Sequence, residues 1–85
     1  MAPLIPARAA VVVRDDFAAA TVGDVLIYSG SCSPRATRKP LCHRATARDA
    51  GGFIMRGDGN ALAETWQRVT AANYLGTVLA VVNFP

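Results

Sequence analysis

The stretch Leu41-Cys42-His43-Arg44-Ala45-Thr46-Ala47-Arg48 decides the fold class of this chain, because apolar and polar side chains alternate along it with a period of two. One face of the predicted strand carries Leu41, His43, Ala45 and Ala47, and the other carries Cys42, Arg44, Thr46 and Arg48. Residues 49–52 (Asp-Ala-Gly-Gly) then predict a turn, and residues 53–56 (Phe-Ile-Met-Arg) predict the returning strand. The sequence therefore predicts a β-hairpin over residues 41–56.

Three further strands are predicted outside this hairpin. They span Ala9–Arg14, Asp24–Tyr28 and Gly76–Phe84. The first contains three consecutive valines, the second follows a turn glycine, and the third reads as a buried strand. Phe17 is expected to turn inward from the first connection, and Ala61–Gln67 is compatible with a helical turn. Short strands joined by glycine, proline and asparagine turns predict an all-β domain with at most one short helix.

Length and composition exclude several classes of protein. A chain of 85 residues is too short for a barrel of eight βα units or a second domain, so we predict a single domain over residues 1–85. Hydrophobic residues make up 52% and charged residues 18%, which argues against intrinsic disorder. The net charge of +3 comes largely from a loose basic stretch that contains Arg35, Arg38, Lys39, Arg44 and Arg48. No aromatic residue interrupts that stretch, so a solvated loop is favoured over a nucleic-acid interface.

The sequence predicts neither a targeting segment nor a bound metal or cofactor. Residues 1–6 lack the basic start and long apolar core of a signal peptide, and the uncharged residues 69–85 are too polar to span a bilayer. One histidine and two cysteines without close spacing do not match a zinc site. Cys32 and Cys42 bracket a loop, which leaves open either a disulfide in an oxidising compartment or two free thiols in a reducing one.

His43, the only histidine, is the first candidate for chemistry. On the apolar face of a strand, it could be a core-edge imidazole bonded to a backbone carbonyl. Alternatively, it could act as a general base near neutral pH, provided that an acidic side chain orients it. Asp58 and Glu64 are the downstream acids that a folded hairpin could bring close, although Asp58 also fits ordinary turn chemistry.

Several short motifs follow one another in a specific order. They are residues 1–6 (Met-Ala-Pro-Leu-Ile-Pro), 11–13 (Val-Val-Val), 22–28 (Val-Gly-Asp-Val-Leu-Ile-Tyr), 43–44 (His-Arg), 56–60 (Arg-Gly-Asp-Gly-Asn) and 75–78 (Leu-Gly-Thr-Val). This order resembles the catalytic core of the signal peptidase I family and its relatives in the LexA-like serine peptidase group. The resemblance covers essentially the whole chain and implies the coiled β fold of that group.

The resemblance also implies roles for individual residues. The His-Arg pair is similar to that of the branch that uses histidine instead of lysine, so His43 would be the general base. Asp58 falls on the aspartate of the G-D-x-N box, and Glu64 falls where that branch carries a further aspartate. Met1 and Pro3 match the S-M-x-P box and would lie next to the substrate. The implied activity is cleavage of extended peptides or preproteins after small residues, at a membrane-associated site facing away from the cytoplasm.

The nucleophile of the family is the serine directly before the methionine that Met1 matches. Three explanations stay open: the start is assigned one motif too late, the sequence is a fragment, or the chain is a pseudoenzyme, inactive if no serine precedes Met1. Ser29, Ser31 and Ser33 are not expected to substitute, and Lys39 is a rival base. Two other functions stay open: a non-catalytic module of the same fold that binds peptides or self-associates, and a fragment of a LexA-like repressor.

Overall fold

The computed structural model describes residues 9–83, whose strands form one antiparallel five-stranded sheet. The strands are β1 (Ala9–Arg14), β2 (Val25–Gly30), β3 (Lys39–Asp49), β4 (Gly52–Arg56) and β5 (Tyr74–Asn83). Their spatial order is β1-β5-β2-β3-β4. Within the described residues, the single helical element is a 3₁₀ turn over Phe17–Ala19. The all-β prediction is therefore confirmed.

The predicted hairpin is present as β3 and β4, and its alternation holds for the first half of β3. Leu41 and Ala45 are buried, and the half-buried His43 lies between them on the same face. Ala47 was predicted on that face as well, but it is exposed. The pairing of β3 with β4 shifts by one residue between Ala45 and Ala47, and such a β-bulge breaks the strict alternation of faces. The prediction for Ala47 is therefore wrong.

The hydrophobic core lies against one face of the sheet. In β2 the side chains of Leu26 and Tyr28 are fully buried and alternate with half-buried neighbours. Phe17 packs onto this core, with its ring centroid 5.8 Å from that of Phe53 and 5.3 Å from that of Tyr74, both in edge-to-face geometry. The expectation that Phe17 turns inward is confirmed.

Residues 61–67 do not form the predicted helical turn. The chain runs instead along the outer edge of β4, where the Glu64 N–H donates to the Met55 carbonyl over 2.8 Å. Further on, Phe53 and Val69 exchange two backbone hydrogen bonds of 2.9 and 3.0 Å. In a helix, the backbone N–H and C=O groups of this segment would bond to one another. Here the backbone groups of Glu64 and Val69 bond to β4 instead, and both residues are buried.

The last strand is longer and more exposed than predicted. It begins at Tyr74 instead of Gly76, and several of its large apolar side chains are exposed, namely Leu75, Leu79, Val81 and Val82. Only residues 74–77 pair with β2, whereas the ladder with the edge strand β1 continues to Asn83. The distal part of β5 therefore extends beyond the core, and the prediction of a buried strand is wrong there. Phe84 lies outside the described residues.

The two cysteines are free thiols in this fold. Cys42 pairs across the ladder with Ile27, whereas Cys32 lies beyond the end of β2 at Gly30. The three residues from Ile27 to Gly30 alone span about 10 Å of strand, and a disulfide requires Cα atoms within about 7 Å. Of the two alternatives for these residues, the structure therefore has the reduced one. None of the helical structure in residues 9–83 has the length and apolar character needed to cross a membrane.

Candidate active site

His43 and Glu64 form a close pair at one end of the core. The Nδ1 atom of His43 lies 2.7 Å from Oε2 of Glu64, although the residues are 21 positions apart in the sequence. The Glu64 side chain is only 4% exposed and that of His43 is 20% exposed. β3 directs the imidazole toward the core face, and the backbone bond of Glu64 to Met55 in β4 brings the carboxylate to it.

Three side chains donate hydrogen bonds to the Glu64 carboxylate. His43 binds Oε2, while the Tyr28 hydroxyl and the Gln67 amide bind Oε1 over 2.6 and 2.9 Å. Burial alone would raise the pKa of Glu64. The hydrogen bonds from His43, Tyr28 and Gln67 outweigh burial, so the pKa of Glu64 lies below its ordinary value of 4.5. Glu64 is therefore a carboxylate at neutral pH.

The ionised state of Glu64 determines where the neighbouring protons are. A carboxylate only accepts hydrogen bonds, so the 2.7 Å contact requires a proton on Nδ1 of His43. Tyr28 likewise gives its single proton to Glu64, and its oxygen can only accept in the 3.0 Å contact with Nδ1. Burial and then the Glu64 contact raise the pKa of Tyr28, which keeps this hydroxyl protonated. In neutral His43 the lone pair is consequently on Nε2, where it is available as a base.

The Nε2 atom of His43 faces the turn that follows β4. A Cβ atom placed on Gly57 would lie 3.3 Å from Nε2 and 2.8 Å from Nδ2 of Asn60. The turn is closed by a 2.8 Å bond from the Asn60 N–H to the Gly57 carbonyl. Glycine at position 57 therefore allows both the imidazole and an amide side chain to approach the backbone closely.

Asp58, the other candidate acid, pairs with Arg44 and not with His43. Nε and Nη2 of Arg44 donate to the two Asp58 carboxylate oxygens over 3.0 and 3.1 Å, in a pair that is more than 40% exposed on each side. Hydrogen bonding to Arg44 is the main reason why the pKa of Asp58 is lowered. Of the two acids considered from the sequence, Glu64 contacts the imidazole directly.

One edge of β3 is open next to His43. β4 ends at Arg56, which lies opposite Arg44, so Lys39–His43 pairs within the described residues with β2 alone. An unpaired strand edge presents backbone groups that an extended peptide can bind by strand addition, and in this stretch every residue except Pro40 has an N–H as well as a C=O. The site therefore combines a base with a surface that suits a polypeptide ligand.

The remaining sequence candidates are Met1, Pro3 and Lys39. Met1 and Pro3 lie outside the described residues. Lys39 is exposed at the start of β3, four residues before His43. Among residues 9–83, the side-chain hydrogen bonds of His43 go to Tyr28 and Glu64, with no contribution from a serine or a threonine. The same residues contain no group of three histidine, cysteine or acidic side chains that could hold a metal ion.

Sequence reasoning missed Tyr28 and Gln67 as parts of the site. The alternation of β2 is a signal for the burial of Tyr28, but a buried tyrosine in a core strand gives no indication of where its hydroxyl points. Gln67 lies in an irregular segment without periodicity, and no signal in the sequence could have identified it. Tyr28 reaches Glu64 across 36 positions of the chain, whereas Gln67 is only three positions from Glu64 and is oriented by its long-range contacts with Ser31.

Chemically, the arrangement can take up a proton at Nε2 of His43 and hold the resulting cation against the Glu64 carboxylate. A scan against models of known protein families found no match, and neither did searches of curated proteins and of solved structures. Any function must therefore be inferred from this geometry together with the order of the sequence motifs.

Proposed function

We propose that this chain is the core of a serine-type endopeptidase that resembles the signal peptidases. His43 is the general base of this enzyme, and Glu64 orients it. The observation that carries the proposal is the 2.7 Å contact between a buried carboxylate and Nδ1 of the only histidine, which leaves Nε2 on the other side of the ring, facing the turn at Gly57. Histidine serves as a general base when an acid fixes its tautomer in this way.

The mechanism is acyl transfer from a peptide to a serine. The resemblance implies that this serine directly precedes Met1. Its hydroxyl attacks the peptide carbonyl while Nε2 of His43 accepts the proton, and the same proton then passes to the leaving amine as the C–N bond breaks. Water hydrolyses the resulting ester in a second cycle, with His43 again as the base. Glu64 stabilises the imidazolium that forms in each cycle.

The substrate class follows from the resemblance and agrees with the open edge of β3. A peptide paired with Lys39–His43 would run in extended conformation and end next to the imidazole. The resemblance implies small side chains before the cleaved bond, as in preproteins. Backbone pairing is insensitive to side chains, so selectivity would come from the space available for the residues next to the cleaved bond.

The test is cleavage by a longer form of the chain in which a serine directly precedes Met1. We expect a peptide with alanines before the scissile bond to be cut, as seen by mass spectrometry. His43→Ala should lower kcat/KM on the order of 10³-fold or more, because loss of the base removes proton transfer. Asp49→Asn is the matched control, since Asp49 pairs with Arg68 on an exposed surface. Full activity of His43→Ala would contradict the proposal.

A non-catalytic peptide-binding module of the same fold is the second candidate, and the same open edge of β3 favours it. Such a module would bind the alanine peptide equally well with and without His43, and no form of the chain would cleave it. A DNA-binding function has less support, because no aromatic residue for base stacking lies between Arg35 and Arg48 and Arg44 in that stretch is already paired with Asp58. Steeply salt-dependent DNA binding would favour that function.

A further inference from the structure

Tyr28 is a fully buried side chain with a polar end at the site. Its hydroxyl lies 2.6 Å from Oε1 of Glu64 and 3.0 Å from Nδ1 of His43, so it contacts both members of the pair. The ring is fixed by the core strand β2, where Tyr28 lies opposite Leu41 and Tyr74. The position of the hydroxyl is therefore set by the hydrophobic core and not by the site.

Gln67 approaches the same carboxylate oxygen from the other side. Its Nε2 donates to Oε1 of Glu64 over 2.9 Å and to the Ser31 carbonyl over 2.8 Å, and its Oε1 accepts from the Ser31 N–H over 2.9 Å. A Cβ atom on Gly30 would lie 2.6 Å from Oε1 of Gln67, so the glycine makes room for this contact. Both ends of the Gln67 amide are thus held in one orientation.

The two oxygens of the Glu64 carboxylate have different hydrogen-bond partners. Oε1 accepts from Tyr28 and Gln67, which leaves Oε2 for His43. We infer that Tyr28 and Gln67 are positioning residues that hold Glu64 so that His43 keeps its proton on Nδ1. The effect of these hydrogen bonds on the His43 tautomer does not depend on the function of the protein. Only the consequence for catalysis rests on the proposed function.

The test is the tautomer of neutral His43, measured by ¹⁵N NMR of the imidazole. The chain has a single histidine, so the assignment is unambiguous. We expect the Nδ1–H form to dominate in the unaltered chain. Tyr28→Phe should shift the population toward the Nε2–H form, which a free histidine side chain favours, and Gln67→Met should shift it in the same direction by a smaller amount.

Tyr74→Phe is the matched control. Tyr74 is also a buried tyrosine and lies opposite Tyr28 in the ladder, but its hydroxyl bonds to Thr77 and to the Arg14 carbonyl. Tyr74→Phe should leave the His43 tautomer unchanged. A general loosening of the core would instead shift the tautomer in both tyrosine variants. An equal shift in the control, or no shift in Tyr28→Phe, would overturn the inference. If Tyr28→Phe does not fold, Gln67→Met decides in the same way.

Activity measurements separate this inference from the proposed function. In the longer form that carries the serine, Tyr28→Phe should lower kcat about tenfold with little change in KM, comparable to the loss of one ordinary hydrogen bond. A shift of the tautomer without cleavage by any form would refute the proposed function and support the positioning role. Cleavage with an unshifted tautomer in both variants would refute the positioning role alone.

Discussion

Two acid–base pairs start from neighbouring residues of β3 and have different environments. His43 and Glu64 lie in the core face with side chains 20% and 4% exposed, whereas Arg44 and Asp58 lie in solvent with side chains 42% and 43% exposed. Successive side chains of a strand point to opposite faces of the sheet. One step along the chain is therefore enough to separate a buried pair from a surface pair.

The comparison shows what burial adds to a pair. Arg44 and Asp58 make two good hydrogen bonds, but water and salt compete with both. The Glu64 carboxylate instead accepts from three side chains in a place that water hardly reaches. Loss of Glu64 would remove the acceptor that these buried donors share and leave only the contacts of Gln67 with Ser31 and of Tyr28 with His43, and that cost is much greater than the loss of a surface contact.

Truncation of the two acids should give the largest difference. Glu64→Ala is expected to lower the free energy of unfolding by about 3–5 kcal/mol, because it removes one partner of a buried pair and the shared acceptor of three buried donors. Asp58→Ala should cost less than about 1 kcal/mol, as for other exposed ion pairs. Urea denaturation of both variants near pH 7 measures the difference. Equal costs would mean that the burial of Glu64 contributes nothing to the stability of the pair.

Acid and salt should distinguish the pairs with a smaller effect. The pKa of Glu64 is lowered in the folded state, so its contribution is fully present above its ordinary value of 4.5 and is lost as the pH falls through the lower folded value. The destabilisation by Glu64→Gln should therefore shrink below pH 4.5.

At neutral pH, about 1 M NaCl should remove most of the smaller effect of Asp58→Asn and little of that of Glu64→Gln. These values come from denaturation at each pH and salt concentration, and an equal salt response would contradict the contrast.

Substitution at Gly57 should have the smallest effect on stability. The added methyl group of Gly57→Ala meets Asn60 and Nε2 of His43, but Asn60 is exposed and can turn away. We expect a loss of about 1 kcal/mol, the lower end of the range for overpacking, together with a change in the His43 ring resonances. The double variant Gly57→Ala/Asn60→Ala should recover part of the stability. The stability is measured by urea denaturation and the ring resonances by NMR. Unchanged His43 ring resonances in Gly57→Ala would show that this face of the imidazole is not crowded.

Local sequence patterns were sufficient to predict much of the sheet. The alternation in residues 41–45 and the valines of β1 predicted strands that the structure confirms, since these preferences act between near neighbours. Predictions were wrong where long-range contacts decided the outcome. Residues 61–67 form no helix, and Glu64 among them bonds to the edge of β4; the distal part of β5 is exposed although it is as apolar as a core strand.

The candidate site also has parts that the sequence predicted and parts that only the tertiary structure determined. His43 and Glu64 were candidates from the sequence, through the face of β3 and the resemblance to signal peptidases. The choice between Glu64 and Asp58 as the partner of His43 required the tertiary structure, because both acids lie beyond the same hairpin and only the fold determines which one reaches the core face. The roles of Tyr28 and Gln67 depend on hydroxyl and amide positions that are fixed by packing across the whole sheet. Residue types and their order therefore determined the strands and the candidate base, whereas the three-dimensional path of the chain determined which groups hold that base in place.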